Sequence, residues 1–224
     1  MTTSGGGGLN ALAYAVVIFA VFRGVDTVID AGALMRRPHR SALVLWSMVA
    51  VPSIAQFAVP AIYDALSRQP DAIRDGHEWW RLITSAYVQD GGVFGTVTNL
   101  VVLYIVAALA VPLWGGLRTG GLFVFATAAF DLPAVYLYPS AGGGNSGATF
   151  FLATSVLSML LVRGLTRGVV VASGVAVIVG AGLVVTGDAH GLAFTGGFIV
   201  GLALAAVTHP SATSAGSATR PERR

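Results

Sequence analysis

Apolar residues along the chain fall in long blocks separated by short polar connections. The blocks are roughly 42–63, 93–113, 122–138, 148–162, 169–186 and 189–207. A helix needs about 20 mostly apolar residues to cross the hydrocarbon of a bilayer, so the pattern predicts an all-α membrane protein with six core spans. A further apolar stretch, 9–22, ends before Arg23, Asp26 and Asp30. At about 14 residues it is short for a span, and it lacks the basic flank and small-residue cleavage site of a signal peptide. One extra N-terminal helix, spanning or interfacial, is expected there. The chain divides into a leader with this accessory helix over 1–40, a six-helix core over 41–208 and a flexible cytoplasmic tail over 209–224.

The polar connections alternate in charge. Arg36, Arg37 and Arg40 precede the first core block. Arg118 follows the second, Arg163 and Arg167 the fourth, and Arg220, Arg223 and Arg224 the last. The connections between have no such excess: 131–145 carries Asp131 and 187–189 carries Asp188, both without Arg. The long 64–92 connection sets Arg68, Arg74 and Arg81 against Asp64, Asp71, Asp75, Glu78 and Asp90. Arginine-rich short loops stay in the cytoplasm, so both ends of the core are expected there. The true N-terminus lies outside if 9–22 also crosses. Within 64–92, His77-Glu78-Trp79-Trp80-Arg81 places tandem indoles beside a cation, a pattern that suits an anchor at the membrane interface.

Composition narrows the chemistry. Hydrophobic residues make up 55% of the chain and charged ones 10%, with mean hydropathy +0.77. A soluble domain carries about a quarter charged residues, so lipid is the expected surroundings and nucleic acid is not an expected partner. The protein is expected to be an integral multi-pass protein of the plasma membrane. Cysteine and lysine are both absent. Disulfides, thiolate nucleophiles, iron–sulfur clusters, Schiff bases and Ser–Lys dyads are thereby excluded. No His-Glu-x-x-His occurs, and an aspartyl Gly-x-Gly-Asp motif fails because position 185 is Val. No metal or other cofactor is expected.

Polar side chains within spans are costly and call for a reason. Gly142-Gly143-Gly144-Asn145-Ser146-Gly147 opens the fourth core block. The glycines allow close backbone approach, and a helix start offers free N–H groups to an anion. Ser146 is therefore a candidate nucleophile, or else an ordinary helix cap. His190 opens the sixth block on the same side, where a neutral imidazole can act as base. The alternative is a helix-start histidine paired with Asp188 or water. Ala193, Gly197 and Gly201 follow at steps of four, forming one small-residue stripe that lets this helix press against the fourth. Phe150, one turn after Ser146, could pack on the imidazole. Asn99 in the second block could donate to an oxyanion or simply bridge two helices.

Taken together these residues resemble the rhomboid intramembrane serine proteases, over roughly 42–207. Trp80-Arg81 resembles the family's Trp-Arg signature. Asn99 falls at its second-span Asn. Gly144-Asn145-Ser146-Gly147 fits its Gly-x-Ser-Gly, and Ala189-His190 with Gly197 fits its last span. The resemblance implies a rhomboid-like six-helix bundle and a Ser146–His190 dyad needing no acidic third member. It also implies an oxyanion site made by the Ser146 N–H and Asn99, and transmembrane protein substrates. The family's His four residues before the Asn is Gly95 here, and its Glu-x-Arg pair is replaced by Val111-Pro112-Leu113-Trp114-Gly115. The alternative is a weak or inactive rhomboid-like protein that binds transmembrane helices without cutting them.

Overall fold

The structure, a computed structural model, describes residues 7–208. The tail expected over 209–224 and most of the Gly-rich leader lie outside the described residues. Those described form an all-α membrane bundle. Its helices are α1 (Gly8–Asp26), α2 (Ala31–Arg36), α3 (Arg40–Ala55), α4 (Ala61–Leu66), α5 (Pro70–Arg74), α6 (Arg81–Thr84), α7 (Gly92–Trp114), α8 (Gly116–Tyr136), α9 (Ser146–Arg163), α10 (Arg167–Val185) and α11 (His190–Thr208). Local chemistry sets several boundaries. Asp30 caps α2 by accepting from the Ala33 N–H at 2.7 Å, and the Thr166 hydroxyl caps α10 by accepting from Val169. Gly115, at φ +80°, turns the chain from α7 directly into α8, a conformation that costs glycine little.

Six helices are long and apolar enough to cross a membrane: α1, α7, α8, α9, α10 and α11. This set differs from the sequence expectation in two places. The N-terminal helix is longer than its apolar stretch, because the helix continues through Arg23 and buries Gly24 and Val25. The predicted span over 42–63 is instead the 16-residue α3, followed by a break and the short α4. Where α3 ends, the Gln56 side chain fastens the chain to the segment before α7. The Gln56 amide donates to the Gln89 carbonyl and accepts from the Gln89 N–H, both at 2.9 Å. Pro60 follows this exchange, and proline removes a donor the helix would need.

Helix α9 runs through the middle of the bundle, buried along most of its length against α11, α8, α7 and α1. Its tightest seam is with α11. A Cβ at Gly197 would run into the Phe151 carbonyl, and one at Gly201 would lie 2.7 Å from Ser155 Cα. Across the same seam Thr154 donates to the Phe194 carbonyl at 2.8 Å and Ser158 to that of Phe198 at 2.7 Å. Dispersion and such hydrogen bonds hold helices together where no hydrophobic force separates protein from lipid.

The starts of α1, α9 and α11 meet at one end of the bundle. The chain between α3 and α7 covers that end, stitched to the Gly-rich loop before α9. Arg68 and Gly142 exchange both backbone hydrogen bonds, at 2.8 and 2.9 Å. The Gly144 N–H reaches the Ser85 carbonyl, and the Gly143 N–H reaches Asp90 Oδ2. Beneath them Arg68 pairs with Asp131 of α8, both buried, while Arg68 Nε donates to the Ser140 carbonyl at 2.8 Å. A buried ion pair is tolerable only when its remaining polar valences are filled, and here the Ser85 hydroxyl also donates to Asp131.

Candidate active site

Ser146 is the first residue of α9, after a Gly-rich loop held from below by Arg68 and Ser85. No side chain caps this helix. Its first-turn N–H groups have no intrahelical acceptor and point toward the space in front of Ser146. A Cβ at Gly147 would strike the Phe130 ring, so glycine there lets α8 close against the start of α9.

Ser146 Oγ lies 2.9 Å from His190 Nε2. The two side chains come from helices pressed together along Ala193, Gly197 and Gly201. On its other nitrogen, His190 Nδ1 meets Asp188 Oδ1 at 2.8 Å, and the same oxygen accepts the His190 N–H at 2.9 Å. His190 therefore touches Ser146 and Asp188 at once, one at each ring nitrogen. Burial pushes the Asp188 carboxyl up, but the hydrogen bonds from His190 and Tyr14 outweigh it and hold the group at about 2.

Aromatic rings surround the imidazole. Phe150 meets it edge-on with centroids 5.5 Å apart, Phe130 lies at 5.4 Å and Tyr14 at 4.9 Å. The Tyr14 hydroxyl sits 3.1 Å from His190 Nδ1 and donates to Asp188 Oδ2. Asn10 Nδ2, one turn earlier on α1, donates to the same carboxylate oxygen at 2.7 Å. Sequence reading missed both residues. No local motif marks them, since they lie far from His190 along the chain and only packing of α1 brings them in.

Asn99 lies across from Ser146 on α7. Its Nδ2 donates to Gln89 Oε1 at 2.9 Å. A Cβ at Gly144 would sit 3.8 Å from Asn99 Nδ2, Gln89 Oε1 and Ser146 Oγ alike, so three polar groups converge on one point before the start of α9. Gln89 is a third residue the sequence did not flag; it is buried and ties Asn99 to Gln56 and Ser53. Gly95 has no room for a side chain, because a Cβ there would lie 2.6 Å from the Asp90 carbonyl oxygen. A histidine at 95 would have to displace backbone.

Trp80 and Arg81 stand apart from Ser146. Trp80 is half exposed, and Arg81 is buried beneath it, paired with Glu78 and donating to the Asp64 and Ser67 carbonyls. Arg81 thus braces the covering segment. Beside Ser146 and His190 opens a cavity of about 820 Å³ between α1 and α7, lined by Tyr14, Ile18, Phe22, Phe94, Val102 and Asn99 among others. Its walls are mostly apolar, and its polar groups gather at the serine end. Neither the protein-family models nor the curated proteins provide a match for this chain.

Proposed function

We propose that this chain is an intramembrane serine endopeptidase of rhomboid type, resident in the plasma membrane, which cleaves transmembrane segments of other membrane proteins. The observation that carries this reading is the Ser146 Oγ–His190 Nε2 hydrogen bond at 2.9 Å, at the uncapped start of a helix and beside a cavity between spans. A serine hydroxyl becomes a competent nucleophile when an adjacent base takes its proton. Ser146 Oγ attacks the scissile carbonyl while Nε2 accepts the proton. The oxyanion forms in front of α9, where the Ser146 N–H and the second hydrogen of the Asn99 amide can donate to it. Nε2 then protonates the leaving amine as the C–N bond breaks. Water entering from the loop-covered end hydrolyses the acyl-enzyme by the same relay. Transmembrane helices suit the cavity because its long walls are spans and its contacts are apolar.

Cleavage of a reporter transmembrane substrate by purified wild type and by Ser146→Ala tests the reading. We expect the substitution to abolish cleavage and labelling by a fluorophosphonate; equal cleavage by both forms overturns it. A second reading, a rhomboid-like protein that binds helices without cutting them, draws on the absence of any side chain at Gly95 and on the Gln89 contact that occupies part of the Asn99 amide. It predicts helix capture with no labelling of Ser146 in the wild type.

A further inference from the structure

We propose that Asp188 is a positioning residue for His190, and that Asn10 and Tyr14 of α1 hold its carboxylate in place, so that the N-terminal helix is part of the site. The proposal rests on the Ser146–His190 reading above and adds a third group to it. Each oxygen of Asp188 has its own task. Oδ1 receives the His190 backbone N–H and faces Nδ1, while Oδ2 receives Asn10 and Tyr14. A carboxylate held from both sides cannot swing away, and it leaves the imidazole one orientation and one tautomer. With Asp188 ionised, the ring proton sits on Nδ1 and the Nε2 lone pair faces Ser146.

When Nε2 accepts the serine proton the ring becomes a cation among Phe130, Phe150 and Tyr14. Aromatic surroundings solvate it poorly, and the Asp188 charge compensates. No proton passes to Asp188; it keeps its charge through the cycle, as in other serine hydrolases with a His–Asp pair. The groups facing the ring are few. Helix α1 brings Tyr14, the connection before α11 brings Asp188, α9 brings Ser146 and Phe150, and α8 brings Phe130. The other acid on the cavity wall, Asp90, is engaged by the Tyr63 hydroxyl and the Gly143 N–H.

A bland account of Asp188 is available: its Oδ1 merely caps α11. Asp188→Asn separates the two, because asparagine caps a helix as well as aspartate but carries no charge. The experiment follows cleavage of the reporter substrate by the full chain across the imidazole pH range, alongside thermal melting. For Asp188→Asn we expect a cooperative melt at neutral pH, lowered modestly by loss of the ionised carboxylate, a rate lower on the order of 10²–10⁴-fold, and an acid limb displaced to lower pH by about one unit or more. Wild-type rates with an unmoved limb, or a lower rate with an unmoved limb, overturn the proposal. Should Asp188→Asn not fold, Asp188→Ser, which also caps, is read the same way. Tyr14→Phe keeps the carboxylate and tests the α1 half, with an expected loss of roughly 3–10-fold; an unchanged rate overturns that half. Ser146→Ala runs in parallel. Cleavage surviving in Ser146→Ala refutes the nucleophile itself, whereas a dead Ser146→Ala beside an unaffected Asp188→Asn refutes only the role of Asp188.

Discussion

Two buried aspartates at the same end of the bundle each face a nitrogen base, and they differ in what lies beyond it. Asp131 meets Arg68, whose guanidinium also holds the Ser140 carbonyl and whose backbone bridges Gly142. All of its surroundings are protein, and its partner is permanently charged. Asp188 meets His190, whose far nitrogen looks onto Ser146 and a cavity of about 820 Å³. The first pair shapes the Gly-rich loop; the second connects to a hydroxyl through a group that can gain and lose a proton. Burial alone does not distinguish architecture from chemistry. What distinguishes them is whether the partner can change protonation and whether its other face is open.

The sharpest way to break this contrast is to remove the permanent charge. Arg68→Met leaves Asp131 buried without its cation, and losing one partner of such a pair costs about 3–5 kcal/mol. We expect a large fall in melting temperature; a melt matching wild type would show that the loop is held by its backbone bridge alone. Asn99→Ala acts on the other side of the contrast. If its amide meets the oxyanion, the rate falls by about 10²–10³-fold, while stability changes by about 0.6 kcal/mol, typical of a hydrogen bond between spans. Comparing kcat with melting for this one variant separates a catalytic donor from a helix bridge.

The smallest expected effect is acid dependence. The Asp188 carboxyl is held at about 2 in the folded chain, below the ordinary value of about 3.9. The ionised form is thus favoured by folding, so its contribution is complete above about pH 4 and fades as pH falls toward about 2. The melting temperature of wild type should drop across that window more than that of Asp188→Asn; parallel curves would place the acid sensitivity elsewhere.

Much of this was legible in the sequence, and the parts that were not share a cause. Five of the six core blocks became long helices because uninterrupted apolar runs have few other ways to satisfy their backbone in lipid. The juxtaposition of Ser146 and His190 was readable because glycines flank one and small residues follow the other. The Gln56–Gln89 exchange beyond the end of α3 was not readable, since its partners lie 33 residues apart. Asn10 and Tyr14 were hidden for the same reason more strongly, lying 178 and 174 residues from the carboxylate they hold. Asp188 stood in plain view beside His190, but adjacency in sequence does not say which nitrogen it faces. Gly95 read as a missing residue; the backbone shows instead that the Asp90 carbonyl fills the place a side chain would take.

The hydroxyl and the imidazole are contributed by separate helices, 44 positions apart in the sequence. Because synthesis runs from the N-terminus, α9 is made before α11. Until α11 is made, Ser146 has no imidazole beside it. The pairing of hydroxyl and imidazole therefore waits on the last helix, and is complete only when the glycine-lined flank of α11 seats against α9.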